Sequence, residues 1–122
     1  MTKDKALYAW LNNFMPFYPA SSVPCDVVFP YGTYELITDS LYGGEVGLTV
    51  NLWFYTESEA DPNAKAQEFA QYIGMGGAVI PCDEGYVWIK RGTPWSQSLV
   101  DESDAKIKRR YINATAEYLT EY

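Results

Sequence analysis

Val46-Gly47-Leu48-Thr49-Val50-Asn51-Leu52-Trp53-Phe54-Tyr55 is the stretch on which the fold turns. Val46, Leu48, Val50, Leu52 and Phe54 alternate with Gly47, Thr49, Asn51, Trp53 and Tyr55, which is the two-residue period of a strand. One face of that strand is wholly apolar and the other is polar and aromatic. The pattern predicts a long central strand that buries only its first face.

Upstream, Leu7, Trp10, Leu11 and Phe14 fall on one face of a helix whose first turn carries Asp4, where the helix dipole favours an anion. Pro16 and Pro19 end it. Residues 17–30 hold three prolines, Pro19, Pro24 and Pro30, and show no period, so they read as an irregular connection with one short extended piece at Asp26–Phe29. Thr33–Thr38 reads as a strand, and Asp39–Gly44 as a turn. Downstream of the central strand, Asp61 can cap a second helix with Pro62 in its first position. Ala66, Phe69, Ala70 and Ile73 give its apolar face, and Gly74, Gly76 and Gly77 end it. Ala78–Cys82 and Tyr86–Lys90 flank Asp83-Glu84-Gly85 as a hairpin. A loop is expected at Gly92–Asp104 and a last strand at Lys106–Leu119.

The expected fold is a single α+β domain over residues 1–122. Its parts are an N-terminal helix at 1–16, an irregular linker at 17–30, and a mostly antiparallel sheet of about 4–5 strands at 31–122, with the second helix inserted after the second strand. Trp53, Tyr55, Tyr86, Trp88 and Tyr111 belong to the sheet face opposite the aliphatic one. Either that face is open to solvent or a partner, or the first helix covers it through Trp10 and Phe14.

Composition restricts the chemistry. The chain has 122 residues, no His, a formal net charge of −7 and only Cys25 and Cys82. Without His the usual general base, the Ser-His-Asp and Cys-His arrangements and the commonest transition-metal ligand are gone. Gly74-Met75-Gly76-Gly77 follows a helix rather than opening one, so it stops a helix and does not cradle phosphate. Cys82-Asp83-Glu84 reads as a solvated turn, and Glu57 and Glu59 as solvated anions at a helix start. The two cysteines read as small buried or half-buried thiols. No run of about 18 apolar residues and no signal-peptide pattern is seen, so the expectation is a soluble, non-enzymatic protein made in the cytoplasm, with no metal and no cofactor.

Charge is unevenly spread. Residues 1–89 carry three cations against eleven carboxylates, whereas residues 90–110 carry six cations against three carboxylates. An acidic chain is a poor nonspecific ligand for nucleic acid. The basic strip therefore reads either as a strand edge guarded by charge or as a docking strip for an acidic neighbour, including a second copy. Within it, Gly85-Tyr-Val-Trp-Ile-Lys-Arg-Gly-Thr-Pro-Trp95 ends a strand in two cations and then sets an indole on the expected loop. That combination points to binding.

Taken together, Tyr31-Gly32-Thr33-Tyr34, Val50-Asn51-Leu52-Trp53-Phe54-Tyr55-Thr56, Asn63-Ala64-Lys65-Ala66, Val87-Trp88-Ile89-Lys90-Arg91-Gly92-Thr93-Pro94-Trp95 and Arg109-Arg110-Tyr111-Ile112-Asn113 resemble a family of small phage and prophage proteins. These are the minor capsid, tail completion or tail terminator (head–tail joining) proteins of phages with long non-contractile tails. The resemblance spans residues 30–122 and rests on order and spacing, not on any single motif. It implies a tail-terminator-like layout and a ring, usually a hexamer, at the head-proximal end of the tail. Its partners would be further copies of itself, the tail tube protein and the head–tail connector, and phage DNA would pass through the channel without specific binding. The protein would be located in the virion and assembled in the bacterial host cytoplasm. Candidate interface residues are Lys90, Arg91, Trp95, Arg109, Arg110, Trp53 and Trp88. Trp95→Ala is expected to leave the monomer folded while weakening assembly. A head completion protein of the same connector is the nearest alternative. A carbohydrate-binding module that uses the aromatic face is the alternative from another class.

Overall fold

The computed structural model describes residues 2–38, 45–83, 85–100, 104 and 106–120. The central expectation holds: Glu45–Tyr55 (β3) lies in the middle of a sheet, antiparallel to Ile107–Thr120 (β6) in a register that runs from Glu45↔Glu117 to Tyr55↔Ile107. Leu48, Val50, Leu52 and Phe54 on β3 and Ile112, Ala114 and Ala116 on β6 are all buried. Opposed residues in a ladder share a face, so this pairing makes one apolar surface from two strands.

Tyr31–Thr38 (β2) pairs antiparallel with β3 on one side, and Phe17–Pro19 (β1) adds parallel to β2. Gly85–Val100 (β5) pairs with β6 on the other side, and Ala78–Cys82 (β4) closes that flank. Among the described residues the strand order is β1-β2-β3-β6-β5-β4, six strands in one sheet. Strand makes up 48% of the chain and the sheet is curled into a half-barrel, so the expected α+β domain of four or five strands is corrected to a nearly all-β architecture with two helices. Two errors caused this. The piece expected at Asp26–Phe29 is not a strand, and β1 lies earlier, at Phe17–Pro19. The loop expected at Gly92–Asp104 is strand as far as Val100.

Both helices pack on the aliphatic face. Helix α1 (Lys3–Phe14) starts at Thr2, whose hydroxyl accepts from the Lys5 N–H at 3.3 Å, with Asp4 in the first turn. Asn12 shapes its exit: its Nδ2 donates to the Tyr8 carbonyl at 2.9 Å and its Oδ1 accepts from the Phe17 N–H at 3.1 Å. The chain is thereby turned directly into β1, where Phe17 is fully buried beneath Gly32. A Cβ at Gly32 would sit 2.4 Å from the Phe17 ring, so only glycine fits.

Helix α2 (Ala60–Ile73) buries Ala66, Phe69, Ala70 and Ile73, the face expected from sequence. Its start differs from expectation. Glu59 is the N-cap residue and makes no side-chain cap bond, while Asp61 lies in the first turn. The helices meet through aromatics: Trp10 stacks on Tyr72 at 4.7 Å, Phe14 lies 5.0 Å from Phe69, and the Tyr72 hydroxyl donates to the Trp10 carbonyl at 2.7 Å. Trp10 and Phe14 are thus spent between helices, and the opposite sheet face is left uncovered by either helix. Among the described residues no helix is long and apolar enough to cross a membrane. Cys25 is exposed and Cys82 half-buried, so the buried-or-half-buried reading holds for Cys82 alone.

Helix α2 ends at Gly74 (φ 86°), and the turn to β4 passes through Gly77 (φ 88°), where a Cβ would meet Trp88 Nε1 at 2.4 Å and the Ile89 carbonyl oxygen at 2.6 Å. Gly76, in the same turn, has nothing within 4 Å of a built Cβ. Gly77→Ala should therefore lower stability by about 1–3 kcal/mol, the cost of one strained backbone position, while Gly76→Ala should be nearly neutral. Urea unfolding midpoints of the two variants check this.

Candidate interface at the sheet edge and open face

The pleat divides the basic strip. Arg109 and Arg110 are neighbours on β6, so their side chains leave by opposite faces. Arg109 lies on the open face with its guanidinium 5.2 Å from the Trp53 ring, opposite Trp53 in the ladder. Arg110 continues the run of Ile112, Ala114 and Ala116 onto the core face and is only 1% exposed. There it donates to the Glu59 carboxylate and, at 2.8 Å, to Asn63 Oδ1. Lys108, 8% exposed, lies 4.0 Å from the same carboxylate.

Arg110 is thus a clasp between the first turn of α2 and the sheet, and the expectation that it faces a partner is corrected. The Glu59 and Asn63 pair also places two oxygen acceptors one helical turn apart on α2. The hydrogen bond from Arg110, reinforced by the charges of Arg110 and Lys108, holds the Glu59 carboxyl below the usual carboxylate range, while its partial loss of hydration works the other way.

Trp95 is placed by an irregularity in β5. Arg91 pairs with Ala114 and Ser96 with Ile112, so Gly92, Thr93, Pro94 and Trp95 stand opposite Asn113 alone. Pro94 can occupy such a bulge because it has no N–H to lose from the ladder. Gly92 is required there, since a Cβ would approach the Asn113 carbonyl oxygen at 2.7 Å. The bulge turns Trp95 onto α2, where its Nε1 donates to the Ala66 carbonyl at 3.4 Å and its ring lies 6.0 Å from Phe69. Trp95 therefore belongs to the margin of the core, not to the tip of a loop.

Four of the expected residues do come together. Trp88, Lys90, Arg91 and Trp95 line one groove of about 660 Å³ beside α2, completed by Gln67, Ala70, Met75 and Gly76 with Gly77 and Gly92. Met75, in the turn at its rim, is 96% exposed. The lining holds two cations and no carboxylate, in a chain whose net charge is −7. Lys90 sits 4.7 Å from the Trp88 ring and 3.1 Å from Glu117, and Trp88 Nε1 donates to the Gly76 carbonyl at 2.8 Å. No ion pair or hydrogen bond is seen for the exposed Arg91 side chain among the described residues. The pairing of β4 with β5 ends beside the groove, at Ala78↔Ile89.

Of the remaining expected residues, Arg110 is the buried clasp, and Trp53 and Arg109 form a second cluster on the open face. Trp53 stacks on Tyr31 at 6.2 Å and 12° between planes, and its Nε1 donates to Thr33 Oγ1 at 3.1 Å. Tyr55 beside it is 53% exposed, with Lys106 6.0 Å from its ring. Along β6 the ladder partners of Trp53 and Trp88, Arg109 and Glu117, are about 26 Å apart, at roughly 3.3 Å per residue. Between them lies Asn51, whose Oδ1 is buried without a hydrogen-bond partner among the described residues. The described residues contain no group of three or more His, Cys, Asp or Glu able to hold a metal. No family model matches the chain, and no curated protein matches it in sequence.

Two outcomes follow from these placements. Trp95→Ala should destabilise the isolated chain by about 1–2 kcal/mol, part of the value of a fully buried large side chain, read as a lower urea midpoint. Because Glu59 titrates lower in the folded than in the unfolded chain, its contribution is complete above the unfolded carboxyl value of about 4.3 and disappears as pH falls through the lower folded value. Glu59→Gln should therefore be clearly less stable than the parent at pH 7, with the gap closing on acidification below about pH 4. Glu57→Gln, whose carboxylate is 82% exposed, should differ little at either pH. Thermal melts across that range test the ordering.

Proposed function

We propose that this chain is a structural protein of a bacteriophage or prophage virion, acting as a tail terminator or tail completion protein that closes the head-proximal end of the tail as a ring. The observation that carries this reading is the groove of Trp88, Lys90, Arg91 and Trp95, cationic and free of carboxylate on an otherwise acidic chain. A surface of aromatic rings and cations set against an acidic remainder is suited to heterologous contact, in which one patch of each copy meets a different patch of the next. The resemblance in the order of motifs described above, from Tyr31-Gly32-Thr33-Tyr34 to Arg109-Arg110-Tyr111-Ile112-Asn113, supports the reading as a protein of that family. A ring with an acidic channel would let DNA pass without holding it. The partners are further copies, the tail tube protein and the head–tail connector, and the location is the virion.

A second reading has its own support. Tyr31, Trp53 and Tyr55 form an open aromatic stripe of the kind on which sugar rings stack. A carbohydrate-binding module would bind oligosaccharide as a monomer, and Trp53→Ala would abolish that binding.

The test of the main reading is co-expression with a tail-tube protein encoded beside this gene, followed by negative-stain electron microscopy. Rings of uniform size capping the tubes are expected. Arg91→Glu should weaken capping about tenfold, equivalent to ~1.4 kcal/mol, with the deficit growing as salt is lowered because repulsion replaces attraction. Uncapped tubes with the parent protein, or capping indifferent to Arg91→Glu and to salt, would count against the role.

A further inference from the structure

The sheet has two edges and each is only half covered. On one side β4 pairs with Gly85–Ile89 of β5, leaving the outer side of Lys90–Val100 without a strand neighbour among the described residues. On the other side β1 pairs with Gly32–Tyr34 of β2, leaving Glu35–Thr38 without one. Unpaired edges invite strand addition and are usually blunted by charge, proline or a bulge. Residues 96–100 of β5, Ser-Gln-Ser-Leu-Val, contain neither charge nor proline, and Ser96, Gln97 and Ser98 are exposed. The bulge at residues 92–95 ends before them, and their ladder to β6 is regular.

The two open halves are complementary in direction and in position. β2 is antiparallel to β3, β3 to β6 and β6 to β5, so β5 runs opposite to β2. When one sheet continues into another of the same sense, β2 of the second copy lies antiparallel to β5 of the first, and antiparallel pairing is the more stable kind. In both strands the covered half is the N-terminal one. Antiparallel alignment therefore sets the open half of each strand against the open half of the other, with β4 of the first copy and β1 of the second at opposite ends of the joint. Beyond the bulge the open β5 edge has five residues, Ser96–Val100, enough to span the four of Glu35–Thr38. The charges complement each other as well: Glu35 is exposed on the open face of β2, and in this alignment it stands opposite Leu99, whose ladder neighbour on the same face is Arg109.

We propose that copies of this chain join head to tail by strand addition, the Glu35–Thr38 edge of one copy pairing antiparallel with the Ser96–Val100 edge of the next to form a lap joint in a continuous sheet. The proposal rests on the ring reading above for its closure into a ring, and on the two edges alone for the contact itself. Such a contact is heterologous and propagates, closing when its rotation divides a full turn. It also gives the groove beside α2 a position next to the joint.

The test uses a Cys25→Ser/Cys82→Ala background. Glu35→Cys and Leu99→Cys, which share the open face and stand opposite each other when Glu35–Thr38 runs antiparallel to Ser96–Leu99, are made as separate proteins, mixed and oxidised. The expected product is a disulfide-linked heterodimer of the two variants, and a chain carrying both substitutions should give a ladder of multimers. Gln71→Cys, exposed on α2, mixed with Leu99→Cys is the control and should lose the heterodimer. Ser98→Lys in the Leu99→Cys protein, with folding verified by circular dichroism, should also lose it, because the added charge guards the edge. Heterodimer no more abundant than in the control, or homodimers as the main product, would overturn the proposal. The two readings fail separately. Crosslinking without tube capping sinks the tail role and keeps the joint, whereas capped tubes without 35–99 crosslinks keep the role and remove the joint.

Discussion

The pairing of β3 with β6, from Glu45↔Glu117 to Tyr55↔Ile107, is the constraint on which the remaining structure depends. It aligns two alternating sequences in phase, so that Leu48, Val50, Leu52 and Phe54 join Ile112, Ala114 and Ala116 on one surface. Slippage by a single residue would turn one strand's apolar set to the wrong side. With the phase set, both helices have one surface to bury against, and Phe69 of α2 collects Trp10, Phe14, Phe17, Tyr72 and Trp95 around it. The other surface keeps its rings and amides for solvent or a partner. A one-sided core of this kind is economical in a short chain, but it leaves a large aromatic face and two sheet edges exposed.

Electrostatics follows the same division. On the core face Lys108 and Arg110 are buried and answered by Glu59 and Asn63, so their charges bind α2 to the sheet. A buried cation deprived of its partner is costly, which makes the start of α2 a fixed point. On the open face Arg109 and Lys90 lie over Trp53 and Trp88, contacts worth about 0.5–1 kcal/mol each at exposed sites, and they keep the rings oriented. One short basic segment thus serves cohesion on one side and surface chemistry on the other.

Much of this was legible in the sequence. The strict alternation of β3, the apolar stripe of α2 and the glycines that end it appear where the pattern puts them. The uncovered aromatic face follows from Trp53 and Tyr55 alternating with a full set of aliphatics. Three features were not read. β1 is three residues long and contains a proline, too short for any period to show, and it exists because Asn12 turns the chain beneath Gly32. The strand beyond Gly92 was hidden by Gly92, Thr93 and Pro94, which read as a loop when the partner strand is not known to continue past them. The burial of Arg110 could have been found: counting back by twos from Ile112 reaches Arg110 and then Lys108, and an acceptor pair waits at Glu59 and Asn63. Local charge clustering obscured that parity.

The bulge at residues 92–95 has a consequence for how the length of this chain can vary. It places four residues against one, an excess of three, and so exchanges the roles of odd and even positions along β5. Val87 and Ile89 face the helices before it, whereas Ser96 and Ser98 share the side of Ile112 and Arg110 after it. Gain or loss of one residue within the bulge would therefore invert the whole segment from Ser96 to Val100, sending Gln97 and Leu99 toward the core side. A change of two residues would leave the facing intact. The chain can thus change length here only in even steps, and it is the numerical parity of this small bulge, rather than the identity of its residues, that determines which side chains its far edge presents.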